Sequence, residues 1–351
     1  MTQIPMMRAI AITEPGSADV LQPVDLPRPT AGPGEVVIRV AAAGVNAPDL
    51  AQRRGVYDPP PDASPLPGLE VAGEIVAVGD GVERWRVGAA VVALTHGGGY
   101  AEYVAVAAGQ VLPCPTGWSL IEAAALPETF FTVEQTLVMR AGLAEGMQVL
   151  VHGAAGGIGG AAIQLSRLHG AEAIAVVSTK QKADYALSLG ARAAIRHDNE
   201  DVVAQCKALT DGRGADRIVD VIGGDMLDNN IRAAARFGHI VIISTLSGGK
   251  SEINAGLILA KQLTLSGSTL RPQSAATKAA IAASLESSAW PALADGRISR
   301  PRIQALPLDR AAAAHRLMED RSFFGKVVLV TNWGETLLTT GLDGDNPIEM
   351  A

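Results

Sequence analysis

The stretch MQVLVHGAAGGIGGAAIQL, residues Met147–Leu165, decides the fold of this chain. In it a short apolar run leads into closely spaced glycines and then into a segment rich in small residues. Glycine permits a tight turn after a strand, and it lets backbone N–H groups approach a pyrophosphate that a Cβ would hold away. The stretch therefore predicts a strand, a phosphate-binding turn and a helix whose N-terminus faces an anion.

The turn itself, Ala154–Gly159, reads A-x-G-x-x-G, one glycine short of the usual dinucleotide pattern. We expect Gly156 to face the pyrophosphate and Gly159 to let the helix pack closely against the strand. Taken alone, the motif is equally compatible with an ordinary glycine-rich turn of an α/β protein. The residues predicted to contact the phosphates are Ala155, Gly156, Gly157, Ile158 and Gly159.

Further apolar runs of β type follow the turn, with helical stretches between them. This alternation predicts parallel βαβ units and a doubly wound sheet. The runs are Ala173–Ser178, Arg217–Val221, His239–Ser244 and Leu263–Gly267.

The end of the run Ala173–Ser178 indicates which dinucleotide is bound. It reads Val176-Val177-Ser178, without the acidic residue that an NAD site places against the ribose 2′-hydroxyl. Basic and hydroxyl side chains follow, and they can surround a 2′-phosphate, so NADPH is favoured over NADH. Alternatively, the lysines are solvated at the start of a surface helix, and the nearby Asp184 weakens the local positive charge. The predicted 2′-phosphate contacts are Ser178, Thr179, Lys182 and His197.

Composition and charge describe a two-domain globular chain. Its 351 residues are too many for one typical core and suit two domains, and the 48% of apolar residues with 38 glycines describe a compact chain with many turns. A net charge of −7 and 4% aromatic residues argue against a nucleic-acid partner. Only two cysteines occur, Cys114 and Cys206, which excludes a cysteine-rich zinc site and points to a reducing, cytoplasmic compartment. We expect no secretory signal and no membrane partner.

The chain changes character on either side of the dinucleotide region. Residues 1–127 contain short apolar runs separated by proline, glycine and aspartate clusters, which predicts a β-rich domain. After residue 270, two helical stretches and the final apolar run Gly325–Val330 are expected to return to that domain. The predicted division is 1–127 with 271–351, and 128–270. The tail Asn332–Ala351 is expected to be loosely ordered.

Several motifs together carry a family resemblance. They include GVNAPDLAQRRGVYDPPP (Gly44–Pro61), GLEVAGEIVAVGDGV (Gly68–Val82), GGGYAEYVAV (Gly97–Val106) and FGKVVL (Phe324–Leu329). With the glycine turn, they make the chain resemble the medium-chain dehydrogenase/reductase superfamily, from about Ala9 to Val330. Within it the chain looks most like the zinc-independent quinone oxidoreductases, including the zeta-crystallins and the p53-inducible quinone oxidoreductase branch.

The resemblance implies an α/β fold with a GroES-like β-rich domain, an inserted Rossmann domain, and a cleft between them. Hydride would pass there from NADPH to a quinone or an electron-poor enone. Zinc-dependent relatives carry histidine in G-H-E and a cluster of cysteines. Here the triplet is Gly68-Leu69-Glu70 and the cluster is missing, so no metal is expected.

The resemblance also assigns site residues. Asn46 and Tyr57 match the family's polar pair at the substrate end of the nicotinamide pocket, where amide and phenol donors would steady the acceptor oxygen. Alternatively, Asn46 only caps a helix and Tyr57 rests on the following prolines. Asp49 and Glu70 are expected to be structural. The implied further cofactor contacts are Thr132, Ile243, Ser244, Thr245, Leu246, Ser268, Thr269, Leu270 and Lys326.

The sequence thus predicts an NADPH-dependent quinone oxidoreductase. An enone or enoyl-thioester reductase is the alternative enzyme, since hydride addition beside a carbonyl needs the same pocket with a different entrance. An NADPH-binding structural or RNA-binding protein is the alternative from another class, and the acidic charge disfavours it. By analogy with relatives, a homodimer or homotetramer is expected, formed through an edge strand at His239–Ser244 or Leu263–Gly267.

Overall fold

The computed structural model describes residues 4–320, 323–339 and 349–350. Its contacts divide the chain into two compact units. The first unit comprises Met1–Phe131, Arg271–Trp290 and Arg300–Ala351, and the second comprises Thr132–Leu270 and Pro291–Ser299. No helix in the described ranges is long and apolar enough to cross a membrane.

The strands are numbered in chain order. They are β1 (Met6–Ile12), β2 (Leu21–Pro27), β3 (Glu35–Val45), β4 (Glu70–Val78), β5 (Ala90–Leu94), β6 (Tyr103–Ala107), β7 (Val111–Pro113), β8 (Gln148–His152), β9 (Glu172–Val177), β10 (Ala193–Arg196), β11 (Ala215–Asp220), β12 (Ala234–Ile242), β13 (Thr264–Gly267), β14 (Ile303–Pro307), β15 (Lys326–Val330) and β16 (Glu349–Met350).

The α-helices are numbered in the same way, and a π-helix over Glu134–Arg140 follows the third of them. They are α1 (Ala47–Arg53), α2 (Leu120–Ala123), α3 (Pro127–Val133), α4 (Gly157–Leu168), α5 (Lys180–Ser188), α6 (Val202–Leu209), α7 (Met226–Ala233), α8 (Ala255–Lys261), α9 (Ala275–Ala294), α10 (Ala311–Asp320) and α11 (Asn332–Thr339).

The first unit is built on an eight-stranded sheet with the order β16-β14-β15-β3-β4-β5-β7, in which β6 also pairs with β3. A separate antiparallel pair, β1 with β2, completes its strands in the described ranges. On β3, Val36, Ile38 and Val40 alternate toward one buried cluster, as the two-residue period of a strand requires. This sheet holds α1 at the end of β3, where much of the candidate site lies.

The second unit contains a six-stranded parallel sheet with the order β10-β9-β8-β11-β12-β13. This is the doubly wound 3-2-1-4-5-6 order of a Rossmann fold. The central register aligns Leu150 on β8 with Ile174 on β9 and with Ile218 on β11, and all three are fully buried. Because every strand pair is parallel, the carboxyl ends of the strands meet at one edge of the sheet.

The predicted α/β class is confirmed, with a GroES-like sheet unit and a Rossmann-like unit. The prediction of a loosely ordered tail is wrong over Asn332–Thr339, which forms α11; residues 340–348 and 351 lie outside the described ranges. The cap of this helix comes from outside the tail, because the Thr331 hydroxyl accepts from Gly334 N at 3.1 Å. Trp333 also lies under the guanidinium of Arg39 at 4.5 Å.

One of the two proposed edge segments is not an edge. Strand β12, which covers most of His239–Ser244, is paired with β11 on one side and with β13 on the other. Its backbone hydrogen-bonding groups are used on both sides within the sheet. The segment Leu263–Gly267 contains β13, which stands at the end of the strand order.

Candidate active site

The glycine turn of the second unit has the geometry expected of a phosphate-binding turn. Gly156 is the exposed N-cap residue of α4, and no side chain caps the helix there, so its first N–H groups remain available to an anion. A Cβ on Gly159 would lie 2.4 Å from Ala154 Cα and 2.5 Å from Gly153 O. The close approach of α4 to the turn therefore requires glycine at Gly159.

The carboxyl end of β9 presents the hydroxyl and basic groups predicted for a 2′-phosphate. Thr179 caps α5 by accepting from Lys182 N at 3.2 Å, and Lys182 Nζ lies 3.4 Å from Ser178 Oγ. Asp184 forms an exposed ion pair with Lys180 at 2.7 Å. Lys180 thus matches the interpretation of a solvated lysine at a helix start, whereas Lys182 turns toward the strand end.

The other predicted cofactor residues of the second unit also follow strands of this sheet. His197 comes directly after β10, is exposed, and donates its backbone N–H to Val177 O at 3.0 Å. The segments 243–246 and 268–270 follow β12 and β13. The structure therefore brings these residues to one edge of the sheet. Thr132 is buried in α3.

Two buried titratable residues at the same strand ends escaped sequence reasoning. Asp220 ends β11, and one of its carboxylate oxygens accepts from Ile222 N and Gly223 N, while the other is buried without a partner. His152 ends β8 and lies 2.7 Å from Asn230 Oδ1. Burial lowers the pKa of His152, and the nearby Asp220 opposes that shift. An aspartate between an apolar strand and Gly-Gly was the available signal.

Asn46 lies in a buried network of the first unit. It is the N-cap residue of α1, but its amide bonds elsewhere: Nδ2 donates to Glu70 Oε1 at 2.8 Å and, at a long 3.5 Å, to Gly44 O. Lys326 Nζ donates to Asn46 Oδ1 at 2.7 Å and lies 2.5 Å from Glu70 Oε1. Lys326, predicted as a cofactor contact, therefore holds a buried ion pair within this unit.

Two further carboxyl groups lie within this buried region. Asp49 accepts from Gly68 N and from Asn46 N, at 2.8 and 2.9 Å. Burial nevertheless raises the pKa of Asp49 to about 6. Glu128 opens α3, and its backbone N–H donates to Glu70 Oε2 at 2.8 Å. Burial, together with the charges of Glu70 and Asp49, raises the pKa of Glu128 to about 8.

Tyr57 lies half-buried beside the buried Arg271. The Arg271 guanidinium is 5.9 Å from the centre of the Tyr57 ring. In the described part of the chain no hydrogen bond engages the Tyr57 hydroxyl, so this donor is available to a ligand. Burial raises the pKa of Tyr57, while Arg271 opposes that shift. The phenol is thus a hydrogen-bond donor that resists ionisation.

Comparison with known proteins identifies the protein family that this chain matches. Residues 157–286 match the family described as zinc-binding dehydrogenase, and residues 32–116 match the alcohol dehydrogenase GroES-like domain. The quinone oxidoreductase of Lama guanicoe is 32% identical over 332 residues, covering 93% of this chain and 98% of that protein.

Two solved structures extend the comparison. The Escherichia coli quinone oxidoreductase complexed with NADPH has a TM-score of 0.80 at 29% identity, covering 92% of this chain and 99% of that one. An NAD-dependent alcohol dehydrogenase has a TM-score of 0.80 at 33% identity, with the same shares covered.

A Rossmann-like sheet with a glycine-rich strand end, joined to a GroES-like unit, defines an oxidoreductase of the dinucleotide-dependent class. More closely, the chain belongs to the medium-chain dehydrogenase/reductase superfamily, with quinone oxidoreductases among its relatives.

The family description mentions zinc, but the donor set here does not fit that ion. Leu69 stands beside Glu70, and the Glu70 carboxylate is bonded to the Lys326 ammonium, which would repel a cation. Among the residues that the structure describes, no group of three or more His, Cys, Asp or Glu side chains could hold a metal. No step of the reaction is therefore assigned to zinc.

Proposed function

We propose that this chain reduces quinones with NADPH. The strand-end site of the second unit supports NADPH, because Ser178, Thr179 and Lys182 follow β9 without an acidic residue to meet a 2′-hydroxyl. The turn Ala155–Gly159 would hold the pyrophosphate, with His197 and the segments 243–246 and 268–270 as further contacts. When bound, NADPH supplies a hydride.

The polar pair of the first unit would hold the acceptor. Tyr57 would donate its unengaged hydroxyl to the acceptor oxygen, where negative charge develops. Asn46 would share the amide hydrogen that now makes only the 3.5 Å contact to Gly44 O, a weak bond at that length. Glu70 and Lys326 would hold the Asn46 amide in one orientation. The observation that carries the proposal is that no hydrogen bond engages the Tyr57 hydroxyl within the described residues.

The test is steady-state oxidation of NADPH and NADH with ortho- and para-quinones and an enone panel, comparing wild type with Tyr57→Phe. We expect NADPH-selective quinone turnover and a loss of roughly 10²-fold in kcat in the variant, as for removal of one oxyanion donor. Tyr103→Phe is the matched control, because Tyr103 also lies under an arginine, Arg28 at 4.1 Å, but packs in a separate cluster around β1. Turnover of enones alone would favour the enone reductase, and tight NADPH binding without turnover would favour a binding protein.

We further propose a homodimer or homotetramer formed through β13. That strand lies at the edge of its sheet, and α8 beside β12 has no buried residue, with Leu259 80% exposed. Light scattering with size-exclusion chromatography tests this, and a monomer would refute it.

For location we propose the cytoplasm, since Cys114 and Cys206 are both free thiols, as in a reducing compartment. Cell fractionation with an antibody against the chain tests this. Recovery from an oxidising compartment would refute the proposal.

A further inference from the structure

Two buried cations of the first unit, Arg271 and Lys278, lie in one cluster. Arg271 is 5% exposed, and Lys278, in the first turn of α9, is 3% exposed. Both contact the same histidine, since Arg271 Nη2 lies 3.4 Å from His96 O and Lys278 Nζ lies 3.2 Å from His96 Nδ1. Lys278 Nζ also donates to Arg271 O at 2.8 Å. We call these two residues the cation pair.

The hydrogen-bond partners of the cation pair are neutral. Arg271 Nη1 donates to the Gln52 amide oxygen at 2.7 Å, and the other acceptors are two backbone carbonyls and the His96 ring. In the part of the chain that the structure describes, no carboxylate lies within ion-pair distance of either cation. Burial lowers the pKa of both cations, and more distant carboxyl groups oppose that shift only in part. Two like charges are thus buried together without a counter-charge, which is costly.

One carboxylate reaches the cluster, but only through His96. The Nδ1 atom of His96 must accept from the Lys278 ammonium, so the Nε2–H donates to Asp62 Oδ1 at 3.2 Å. The Asp62 side chain is 83% exposed. Water therefore screens the charge of Asp62, which does little to neutralise the cation pair.

Both cations keep donor hydrogens that no described residue uses. The Arg271 Nε–H is buried without a partner. The Lys278 ammonium has three hydrogens but two acceptors, His96 Nδ1 and Arg271 O. A purely structural link between neutral acceptors would need only amide side chains, which bury no charge. Unused donors on two adjacent positive groups instead match a carboxylate, which accepts charge-assisted hydrogen bonds.

The cation pair lies beside the residue that is proposed to hold the acceptor oxygen. The Arg271 guanidinium carbon is 5.9 Å from the centre of the Tyr57 ring. Tyr57 is half-buried and the His96 side chain is 26% exposed, so partly open residues flank the cation pair on two sides. A ligand bonded to the Tyr57 hydroxyl would have the guanidinium at a distance comparable with the size of a substituted aromatic ring.

We propose that the cation pair binds a carboxylate substituent of the acceptor, so that the preferred substrates are acidic quinones. This inference rests on the proposed quinone reduction and narrows its substrate class. The quinone oxygen would face the Tyr57 hydroxyl, and the carboxylate would accept from Arg271 and Lys278. Neither cation takes part in a covalent step, because both bind and orient the substrate.

The first measurement compares a naphthoquinone carboxylate with the matching carboxamide as substrates of the wild type at saturating NADPH. The amide keeps the size and shape of the acid and removes its charge. We expect kcat/KM to be at least roughly tenfold higher for the carboxylate, mainly through a lower KM, as a hydrogen bond to a charged group would give. A wild type without that preference overturns the inference, whatever the variants do.

Arg271→Gln should lower the ratio of kcat/KM for the carboxylate to kcat/KM for the carboxamide by roughly tenfold. The ratio within one variant cancels any general loss of stability or activity. Arg271→Lys keeps the charge and should retain part of the preference. Lys261→Gln is the matched control, because the Lys261 ammonium also donates to backbone carbonyls, those of Ile231, Arg232 and Ala234, and it should keep the wild-type ratio. Equal losses on both substrates in Arg271→Gln would assign Arg271 a structural role and overturn the inference.

Thermal unfolding separates this inference from the proposed function. Benzoate should raise the Tm of the wild type by binding the folded chain, whereas benzamide should not, and Arg271→Gln should not respond to benzoate. A wild type that reduces no quinone but is stabilised by benzoate supports the carboxylate site and defeats the proposed function. A wild type that reduces quinones without preferring the carboxylate, and does not respond to benzoate, overturns the inference alone.

Discussion

The two units each contain a polar site, and the two sites are built by different means. In the second unit, the consecutive residues Gly157, Ile158 and Gly159 offer backbone N–H groups at the start of α4. In the first unit, the polar groups are side chains from α1, β4, α3, α9 and β15, far apart in sequence. The backbone site can therefore be recognised in the sequence from the spacing of its glycines. The side-chain site forms only when residues that are distant in sequence come together in the fold.

The difference also has an energetic side. The backbone site buries no charge, because its donors are dipoles that water can still reach. The side-chain site removes Glu70 and Lys326 from water, at 0% and 4% exposure, and their ion pair, together with hydrogen bonds to Asn46 and to the Glu128 backbone N–H, offsets that cost. Damage to the first site should act through shape, and damage to the second through unbalanced charge.

The largest effect is expected from Gly159→Ala, which tests whether shape governs the second unit. The new Cβ would meet backbone atoms of Ala154 and Gly153 that cannot move without displacing the turn. We expect a loss above roughly 4–5 kcal/mol in the unfolding free energy of this unit, together with loss of NADPH binding. Thermal unfolding and fluorescence titration with NADPH measure both.

Gly249→Ala is the control for that change, since nothing lies within 4 Å of a Cβ at Gly249 and its backbone suits any residue. It should leave stability unaltered. A Gly159→Ala protein as stable as the control would show that the close packing at Gly159 does not govern the stability of the second unit.

Lys326→Met tests how strongly the buried ion pair with Glu70 stabilises the first unit. Removing the ammonium leaves the buried Glu70 carboxylate with neutral partners only, the Asn46 amide and the Glu128 backbone N–H, so we expect a loss of about 3–5 kcal/mol. Urea unfolding at neutral pH measures it. Arg84→Met is the control, because the Arg84–Glu286 pair lies at the surface, where such pairs contribute about 0–1 kcal/mol. Equal losses in the two variants would mean that burial does not set the strength of these pairs.

The same contrast explains which features of the fold and of the site could be predicted from the sequence. Apolar periodicity and glycine spacing predicted the parallel strands and the turn at Gly156–Gly159, because both depend on local pattern. The sequence did not predict that Lys326 would bond to Asn46, 280 positions away, nor that the Glu128 backbone N–H would donate to Glu70. It missed α11 because the cap at Thr331 lies before the segment that looked like a tail.

His315 sharpens the comparison by adding a buried group that is kept neutral. Arg53 Nη1 lies 3.5 Å from its Nδ1, which can therefore only accept, so Nε2–H donates to Tyr100 Oη at 3.1 Å. Burial and the charge of Arg53 lower the pKa of His315 to about 3. Between about pH 6.5 and 3 the unfolded chain binds a proton there that the folded chain does not, so stability falls with falling pH.

We expect His315→Gln to remove that part of the acid sensitivity. The amide can make both contacts and does not titrate, so the variant should gain on wild type by about 1.4 kcal/mol for each pH unit below 6.5. Urea unfolding at pH 7 and pH 5 measures the gain. His197→Gln changes an exposed histidine and should follow the wild-type curve. An unchanged slope in His315→Gln would place the acid-sensitive group elsewhere.

The smallest effect should come from Lys182, the side chain on which the backbone site depends for its choice of dinucleotide. Its ammonium stays partly exposed near Ser178, and an ion pair at such an exposed position contributes about 0–1 kcal/mol. Lys182→Ala should therefore reduce the preference for NADPH over NADH by up to about fivefold in kcat/KM, with stability unchanged. Lys180→Ala removes the neighbouring lysine, which Asp184 already neutralises, and should leave the preference intact. If both variants shift the preference for NADPH equally, the summed positive charge of this region selects the cofactor, and a specific contact of Lys182 does not.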